Sequence, residues 1–569
     1  MKMKAEQLRR FNYQRPSELD GKEGQQWPVA IVGAGPVGLC AAIDLALHGV
    51  KVTLLDEDDT VSPGSRAFCW AKRTLEILDR LGVADRVLQK GVTWNIGKVF
   101  HRDELLYSFN LLPELGHKMP AFVNLQQSYL EEYLVERAVE LGIDLRWRNR
   151  VIGARQDGAG VTLRVETPDG AYDLCSNYVL AADGAHSSIR RMLGLSFEGK
   201  VYEDRFLIAD VHMKADFPTE RWFWFHPPFH SGQSALLHRQ ADDVWRVDLQ
   251  LGVDADPEEE RKPERVIPRL KAMLGEDTPF ELEWVSIYAF QCRRLKRFRH
   301  NRIIFVGDSA HQVSPFGARG GNGGIQDADN LVWKVALVLK AKASEDLLDS
   351  YDEERGLAAD ENILNSRRST DFMTPKGYGS QTLRDAVLQL AHRFDFAQKM
   401  VNSGRLSRPT PLCGCALQTP DVEIFKGELV PGAPCVDAPV QLPTGEDSWL
   451  LSQLGCDFCV LVFADEDRTE LPEIARTVQK AQTLGISLQP VVVCNSINAT
   501  INKLDGLRII SDPQGMACSR YDAQPGTAYL IRPDQHIAAR WRQLEATSLM
   551  AALLRTVGTK QITPTHAGG

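Results

Sequence analysis

The chain has 569 residues, of which 43% are hydrophobic and 25% are charged, a composition typical of soluble globular proteins with about two to four domains. Its formal net charge of −9 and its pI near 5.9 exclude the basic footprint expected of a nucleic-acid-binding protein. No stretch approaches the roughly 18 apolar residues that a membrane helix requires. The basic, polar N-terminal segment lacks the apolar core of a signal peptide. We therefore expect a cytoplasmic protein without nucleic-acid or membrane partners.

The cysteines do not suggest a disulfide framework or a metal site. Their number, 11, is odd, and they are scattered through a long chain. This usage is typical of reduced thiols that serve as small core residues. Cys413 and Cys415 have no second ligand pair nearby, so no metal is predicted.

The first predicted element is a strand–helix–strand unit over residues 29–56. Glycines in G-x-G-x-x-G spacing separate its first strand from the helix, and Asp56 ends its second strand. In this context the glycines allow a tight turn, a close approach to a pyrophosphate and close helix packing. Asp56 would accept hydrogen bonds from a ribose and repel a 2′-phosphate, which favours FAD or NAD over NADP at this site. The glycines are Gly33, Gly35 and Gly38.

Two later predicted strands also end in carboxylates. A strand over 171–182 leads into Asp183, and a short strand over 302–306 leads into Asp308. A glycine-rich turn and a long helical pattern follow Asp308. A carboxylate can accept from a ligand hydroxyl, and the N–H groups of a helix N-terminus favour a phosphate or an electron-rich ring edge. The predicted ligand-binding residues of the turn are Pro315, Gly320, Gly321 and Asn322.

The ordered G-x-G-x-x-G, D-G and G-D motifs resemble those of the single-component FAD-dependent aromatic hydroxylases, the group A flavoprotein monooxygenases related to para-hydroxybenzoate hydroxylase and phenol hydroxylase. The resemblance covers roughly residues 28–400. It implies an FAD cofactor, NADH or NADPH as co-substrate, and hydroxylation of a phenolic or substituted aromatic substrate by O₂ through a flavin C4a-hydroperoxide. No second complete glycine-rich nucleotide fold is visible, as expected if the nicotinamide only visits the flavin.

The resemblance also implies roles for individual polar residues. Arg66 would contact the FAD diphosphate or ribose, and Gln127 would bond the ribityl or adenosine part. Asp183 would serve the FAD phosphate and transient pyridine-nucleotide binding, and Asp308 would hold the ribityl chain. Together with Asp56 and the glycines, these residues form the predicted cofactor site.

Substrate activation departs from the family pattern. Two residues after Arg66, some phenol hydroxylases place a His or Asp beside the substrate hydroxyl, whereas this chain has Phe68. Tyr288, in a predicted strand, is the predicted catalytic substitute, although an aromatic side chain there could also simply face the core. Arg246 and His230 could meet a carboxylate or phenolate, but such residues are more often structural.

The predicted fold class is α/β, with a Rossmann-type FAD-binding domain, an inserted substrate-binding sheet domain and a C-terminal thioredoxin-like domain. The C-terminal part alternates strands and helices, as in the appendage of the phenol hydroxylase branch. Cys456 and Cys459 precede or enter a strand there, and a redox pair belongs at a helix N-terminus, so no dithiol activity is expected. The predicted boundaries are an N-terminal extension (1–27), the FAD-binding domain (28–197 and 285–400, the latter with a helical segment), the substrate-binding domain (198–284), a linker (401–445) and the thioredoxin-like domain (446–569).

Two alternative functions stay open on the sequence alone. The chain could be an FAD-binding oxidase or a non-hydroxylating flavoprotein partner, which Phe68 would favour. The run from Trp222 to Pro227 is also faintly similar to flavin-dependent halogenases, but it lacks the isoleucine before proline. The sequence leaves open the substrate, the position hydroxylated, NADH versus NADPH, and whether the chain forms a homodimer.

Overall fold

The structure is a computed structural model that describes residues 9–21, 26–63, 67–401, 406–464, 471–495 and 506–558. The predicted cofactor residue Arg66 lies outside the described residues. None of the described helices combines the length and the apolar character that crossing a bilayer requires.

The first part of the chain supplies a parallel sheet, a small three-stranded sheet and two strands of a third sheet. Its strands are β1 (Trp27–Val32), β2 (Val52–Leu55), β3 (Cys69–Ala71), β4 (Val92–Trp94), β5 (Ile96–His101), β6 (Glu104–Asn110), β7 (Phe122–Asn124), β8 (Asp144–Arg146), β9 (Arg150–Gln156), β10 (Val161–Thr167) and β11 (Gly170–Ala181). Its helices are α1 (Pro36–Leu47), α2 (Lys72–Leu81), α3 (Ala84–Lys90), α4 (Gln127–Glu140) and α5 (Ser188–Met192), after a 3-10 turn at Ser17–Asp20.

The middle of the chain forms most of an eight-stranded sheet and then returns to the parallel sheet. Its strands are β12 (Glu198–His212), β13 (Arg221–Phe225), β14 (Ser234–Arg239), β15 (Val244–Leu251), β16 (Glu281–Arg294), β17 (Arg299–His300), β18 (Ile303–Phe305) and β19 (His311–Gln312). Its helices are α6 (Pro257–Glu260), α7 (Pro263–Leu274), α8 (Gly320–Leu339), α9 (Asp349–Met373), α10 (Tyr378–Ala391) and α11 (Asp395–Val401), with 3-10 turns at Pro228–His230, Gly307–Ser309 and Glu345–Leu348.

The parallel sheet places its strand ends at one edge. Its strand order is β17-β18-β11-β1-β2-β8, and β10 and β9 extend antiparallel from β11. The strands β18, β11, β1, β2 and β8 run parallel. Strand β18 and the C-terminal parts of β1 (29–32) and β11 (178–181) carry only buried apolar residues, as expected where a sheet is covered on both faces. The carboxyl ends of β1, β2, β11 and β18 therefore meet at one edge, which is where open α/β sheets bind ligands.

The second large sheet lies over that edge. Its order is β19-β16-β12-β15-β14-β13-β5-β6. The predicted substrate segment 198–284 supplies β12 to β15 and the first residues of β16, but most of β16 and all of β5, β6 and β19 come from outside it. Strand β5 joins this sheet through parallel pairing with β13, a long-range contact that the local pattern does not encode.

The C-terminal part forms a seven-stranded sheet in the order β21-β20-β24-β23-β22-β25-β26. Its strands are β20 (Pro439–Gln441), β21 (Asp447–Trp449), β22 (Phe458–Phe463), β23 (Leu488–Cys494), β24 (Arg508–Ser511), β25 (Ala528–Ile531) and β26 (Ile537–Trp541). Its helices are α12 (Leu450–Leu454), α13 (Leu471–Gln482), α14 (Met516–Arg520) and α15 (Ala546–Thr556).

Buried charges join this C-terminal sheet to helices α8 and α9. Arg532, which follows β25, donates to both carboxylate oxygens of Glu354 on α9, at 2.5 and 3.0 Å. Lys334 on α8 donates to the same carboxylate at 2.7 Å, and Arg532 also donates to Asp534 at 2.9 Å. All four side chains are fully buried. We name Lys334, Glu354, Arg532 and Asp534 the interdomain cluster.

Candidate cofactor and substrate site

A cleft of about 1430 Å³ runs between the parallel sheet and the second large sheet. Pockets for drug-sized ligands have volumes of about 300–1,000 Å³, so this larger cleft has room for an extended cofactor together with a small ring. At one end it is bordered by the ends of β1, β2 and β11, and at the other by the inner face of the second sheet.

The glycine turn after β1 is built for close backbone contacts. Gly33 has φ +108°, and a Cβ there would lie 2.5 Å from the Ala182 carbonyl oxygen. A Cβ at Gly38 would lie 2.0 Å from the Gly33 carbonyl oxygen. Gly35 is different, because a Cβ there would meet no atom within 4 Å, and the residue borders the cleft. Gly33 and Gly38 hold the turn together, and Gly35 leaves space for a ligand.

Asp56 lies at the end of β2, on the cleft. Its carboxylate accepts from the backbone N–H of Ala34 at 2.5 Å and of Asp58 at 2.9 Å. Burial raises the pKa of Asp56 to about 6, against these two hydrogen bonds. The carboxylate thus braces the glycine turn while it borders the space that a ribose would occupy.

Gln127 borders the cleft from the start of α4, and both ends of its side-chain amide are hydrogen-bonded. Its Oε1 accepts from the Ala67 N–H at 3.0 Å, and its Nε2 donates to Glu131 at 2.8 Å. Glu131 also accepts from the Ser62 N–H at 2.6 Å, and burial raises the pKa of Glu131 to about 7. Sequence reasoning missed Glu131, although its i,i+4 spacing from Gln127 was a usable signal.

Asp183 follows β11, and only one of its two carboxylate oxygens is hydrogen-bonded within the described residues. Its Oδ2 accepts from Ser188 Oγ at 3.2 Å and from the Ile189 N–H at 3.0 Å. Its Oδ1 is buried and has no hydrogen-bond partner among the described residues, and the residue borders the cleft. A buried carboxylate oxygen without a partner is costly, so this atom is placed to accept a ligand's hydrogen bond.

Asp308 lies in the 3-10 turn after β18, and its side chain is exposed at the cleft. Asp327 of α8 supports this turn, because it accepts from the Gly307 N–H at 3.0 Å and is fully buried. Asp327 is held in turn by His311 and Arg355, each at 2.6 Å. Burial opposes ionisation, but these two partners lower the pKa of Asp327, so it stays charged. The sequence did not predict this supporting group.

The start of α8 forms another wall. Pro315, Gly320 and Gly321 border the cleft, and the unpaired N–H groups of a first helical turn favour electron-rich atoms. The Asn322 side chain borders the cleft too, but it donates to the carbonyl oxygens of Cys69 at 2.8 Å and Ala318 at 2.6 Å. It also accepts from the Ala71 N–H at 2.9 Å, so its amide fixes β3 against α8.

These residues fit FAD. The open space at Gly35, the unpartnered oxygen of Asp183 and the cleft-facing carboxylate of Asp308 lie along one cleft. Two helix N-termini, those of α1 and α8, border the same cleft and would favour a diphosphate and the electron-rich edge of a flavin ring.

Aromatic side chains line the end of the cleft that the second sheet covers. Tyr288 on β16 is half-buried and faces the cleft, with its ring centroid 6.5 Å from that of Trp284. Phe206 and Phe316 pack edge to face nearby, at 5.0 Å. Phe68 also borders this space. We name this end of the cleft the substrate chamber.

Comparison with known proteins agrees with this site. The FAD binding domain family matches residues 26–366. The chain belongs to this FAD-binding family. Rifampicin monooxygenase of Streptomyces venezuelae is 32% identical over 364 residues, which are 64% of this chain and 75% of that protein. The 3-(3-hydroxy-phenyl)propionate/3-hydroxycinnamic acid hydroxylase of Mycolicibacterium smegmatis is 26% identical over 94% of both chains.

The fold of this FAD-binding family member is also that of a solved monooxygenase. The flavin-dependent monooxygenase PieE, solved with FAD and substrate, superposes with a TM-score of 0.79, covering 94% of this chain and 99% of that one, at 21% identity. The predicted FAD cofactor and the predicted relationship to the FAD-dependent aromatic hydroxylases are confirmed. The mixed α/β fold with an FAD-binding domain is confirmed as well.

The two polar candidates from the substrate segment have different surroundings. His230 bonds the Gln250 carbonyl oxygen at 2.6 Å and is not among the residues that line the cleft. Arg246 does line the chamber, where its guanidinium lies 4.3 Å above the Phe68 ring. It pairs with Asp210 through two hydrogen bonds of 2.8 and 2.7 Å.

Three polar chamber residues were missed by the sequence analysis. Arg221 on β13, His238 on β14 and Asp248 on β15 all line the chamber. In the pairing of β14 with β15, His238 lies opposite Arg246, and Asp248 lies opposite Leu236. Burial raises the pKa of Asp248 to about 7, although Arg246 lowers it, and Asp248 Oδ1 has no partner among the described residues. The register of β13, β14 and β15 brings these three residues together, and no local sequence motif predicts that register.

Proposed function

We propose that this protein is an FAD-dependent monooxygenase that uses NAD(P)H and O₂ to hydroxylate a phenolic or substituted aromatic ring. The observation that carries this proposal is the continuity of the cleft. The cradle for the cofactor opens directly into a chamber lined by aromatic side chains, so a ring bound in the chamber would lie next to the cofactor. The names of the similar proteins, which are monooxygenases and hydroxylases, support hydroxylation over the oxidase alternative.

In this proposal the protein binds and orients the two reactants. Asp56, Asp183 and Asp308 would hold hydroxyl groups of the cofactor, and Gln127 would fix the loop beside it. Bound FAD, once reduced by NAD(P)H, supplies the activation of oxygen, and the chamber walls exclude water from the reacting ring.

Tyr288 is the proposed substrate-activating residue, because its hydroxyl group is on a side chain that borders the chamber. A tyrosine there can donate a hydrogen bond to the oxygen of the substrate hydroxyl group and so favour the ionised substrate. Ionisation makes the substrate ring a better nucleophile. Phe68, at the position where some relatives have His or Asp, packs against the Arg246 guanidinium.

The experiment that tests this function follows NADH and NADPH oxidation by the FAD-loaded protein with a panel of phenols and hydroxybenzoates. O₂ uptake, hydroxylated product and H₂O₂ are measured together. We expect one class of ring to stimulate NAD(P)H oxidation and to yield product in step with O₂ uptake. Oxidation that no ring stimulates, with all O₂ recovered as H₂O₂, would instead establish the oxidase alternative.

We also propose that the C-terminal part, from about residue 446, is a thioredoxin-like domain with a structural role. Its β22 and β23 run parallel with α13 between them, and β25 and β26 continue the sheet antiparallel, as in that fold. Cys459 lies inside β22, and burial raises the pKa of both Cys456 and Cys459, which disfavours a reactive thiolate. We expect Cys456→Ser to leave turnover unchanged and the wild type to lack disulfide reductase activity.

The proposed location is the cytoplasm, where NAD(P)H is available, and subcellular fractionation tests it. The predicted homodimer stays a prediction, which light scattering coupled to size-exclusion chromatography measures.

A further inference from the structure

Arg221 is a cation in the substrate chamber without a carboxylate partner among the described residues. It lies on β13 and lines the chamber. Within the described residues its side chain makes one hydrogen bond, in which Nε donates to His238 Nε2 at 3.1 Å. Burial lowers the pKa of Arg221, while the nearby Cys69 and Asp248 raise it. A guanidinium in such a site remains charged, and a charge held away from water requires a counter-charge.

His238 holds Arg221 in place but cannot neutralise it. Because Nε2 accepts from Arg221, the proton of the neutral ring belongs on Nδ1, as assigned from this hydrogen bond. Burial lowers the pKa of His238 well below its usual value, and the charges of Arg221 and Arg246 lower it further. His238 Nδ1 is buried and has no hydrogen-bond partner among the described residues. The pair therefore has a net positive charge.

Arg246, the second guanidinium of the chamber, provides the contrast. Asp210 receives two hydrogen bonds from it, at 2.8 and 2.7 Å, and the two side chains are 1% and 8% exposed. This fork-to-carboxylate geometry compensates the charge of Arg246 within the protein. Arg221 has the same planar guanidinium donors. They border the chamber and have no carboxylate partner among the described residues.

The walls around Arg221 restrict what can approach it. The aromatic and apolar residues of this part of the chamber suit the faces of a small ring. An oxyanion carried by such a ring could accept from the Arg221 fork while the ring packs against these walls. These wall residues are Phe223, two positions along β13 from Arg221, its pairing partner Leu236 on β14, Trp94, whose ring centroid lies 5.8 Å from that of His238, and Phe122, which stacks on Trp94.

We propose that Arg221 is the oxyanion-binding residue of the substrate chamber, so that the enzyme selects aromatic substrates that carry a carboxylate or an ionised phenol. This inference rests on the proposed hydroxylase function and specifies its substrate class. Arg221 is a specificity-determining residue in this assignment, and His238 is a positioning residue that keeps the fork aimed into the chamber.

The test measures ligand binding, not turnover, through the change in the visible absorption spectrum of the FAD-loaded protein. The first pair of probes is 4-hydroxybenzoate and its neutral amide, 4-hydroxybenzamide. The second probe is 4-nitrophenol, titrated on both sides of its own ionisation. We expect the wild type to bind at least one oxyanion ten or more times more tightly than its neutral form. The benzoate pair reports a carboxylate, and 4-nitrophenol reports a phenolate.

The variant Arg221→Gln keeps an amide donor and removes the charge, so it should lose the preference for the oxyanion. Arg221→Lys keeps the charge and loses the fork, so it should retain part of the preference. Arg239→Gln is the matched control, since Arg239 lies on β14, pairs with Asp243 at 3.0 Å and does not line the cleft. The FAD content of each purified variant reports whether it is folded.

An equal preference for the oxyanion in the wild type and in a folded Arg221→Gln variant would overturn the assignment. So would a wild type that prefers the neutral form of both probes. Should Arg221→Gln fail to retain FAD, Arg221→Lys replaces it in the comparison: a preference lower than that of the wild type supports the assignment, and a preference equal to that of the wild type overturns it. The two proposals can fail separately. Coupled hydroxylation of neutral phenols alone would support the hydroxylase function and reject the oxyanion site. Arg221-dependent binding of oxyanions without hydroxylation would support the oxyanion site and reject the hydroxylase function.

Discussion

The interdomain cluster and the substrate chamber both hold charges away from water. The interdomain cluster pairs each of its charges within the protein, whereas the chamber pairs Arg246 with Asp210 and leaves Arg221 without a carboxylate partner among the described residues. In the interdomain cluster, Glu354 accepts from Arg532, Lys334, Asn330 and Gln418 at 2.5 to 3.0 Å. In the chamber, Asp248 Oδ1 has no hydrogen-bond partner among the described residues. Burial raises the pKa of Asp248 to about 7, whereas the partners of Glu354 overcome its burial and lower its pKa.

The difference distinguishes charges that hold the fold together from charges that await a ligand. A buried ion pair contributes little net stability by itself, but the loss of one partner is costly because the other charge remains buried. A cluster whose charges are paired with one another is therefore a structural joint. A cluster with unpaired atoms beside a cleft is expected where a ligand completes the set of hydrogen bonds.

Removing Arg532 should give the largest effect. Arg532→Met leaves Glu354 and Asp534 buried without their shared cation, and we expect a loss of about 3–5 kcal/mol in the free energy of unfolding. Urea unfolding followed by circular dichroism measures it. Arg164→Met is the control, because Arg164 pairs with Asp173 at 3.2 Å where both side chains are largely exposed, and its loss should cost about 0–1 kcal/mol. Equal losses of unfolding free energy in the two variants would mean that the interdomain cluster stabilises the fold no more than a surface ion pair does.

Removing Asp308 should affect the cofactor more than the fold. Asp308→Ala deletes a charged acceptor at the cleft, and we expect FAD affinity to fall by about 1.5–3 kcal/mol, or about 10- to 150-fold. Titration of the apoprotein with FAD, followed by flavin fluorescence, gives the Kd. Asp254→Ala, at an exposed position after β15, should leave it unchanged. An FAD Kd of Asp308→Ala equal to that of the wild type would contradict the role of Asp308.

Most residues at the cofactor end of the cleft could be predicted from the sequence, because local sequence patterns form this end. A strand, a glycine turn and a helix follow one another in the chain, and Asp56, Asp183 and Asp308 each come just after a strand of one parallel sheet. The carboxyl ends of such strands meet at one edge, so the sequence motifs alone were enough to place these carboxylates together.

The substrate chamber could not be read in this way. Arg221, His238 and Asp248 come from three strands, and their meeting depends on the register between β13, β14 and β15. A shift of one residue would turn each side chain to the opposite face of the sheet. Arg73, on α2, illustrates the same limit at the interdomain joint. No sequence motif predicted a role for it, yet it donates to the Asp534 carbonyl oxygen at 2.6 Å, across 461 positions.

Tyr288→Phe should have an intermediate effect, confined to the chemistry in the chamber. It removes one hydroxyl from a side chain that lines the chamber, and we expect hydroxylation to fall about tenfold, or about 1.4 kcal/mol, with more O₂ released as H₂O₂. Product and H₂O₂ formed per NAD(P)H measure this coupling. Tyr133→Phe on α4, which does not line the cleft, is the control. Unchanged coupling in Tyr288→Phe would exclude Tyr288 from substrate activation.

The smallest expected effect is a pH dependence of oxyanion binding. The charged and titratable groups around Asp248 are Arg221, Arg246, Asp210, Cys69 and His238. Burial raises the pKa of Asp248 to about 7, so its carboxyl group is neutral below that pH and negative above it. Binding of 4-hydroxybenzoate, whose carboxylate is ionised throughout, should therefore weaken as the pH rises through about 7.

We expect this weakening to be about fivefold, or about 1 kcal/mol, since the new charge repels the ligand while Arg221 still attracts it. Asp248→Asn cannot ionise, so its affinity should stay constant between about pH 6 and pH 8 when followed by the same spectral titration. His238 does not confound the result, because burial lowers its pKa well below this range. A pH profile that Asp248→Asn leaves unchanged would mean that Asp248 does not sense the ligand, and the unpaired charge of the chamber would then reside on Arg221 alone.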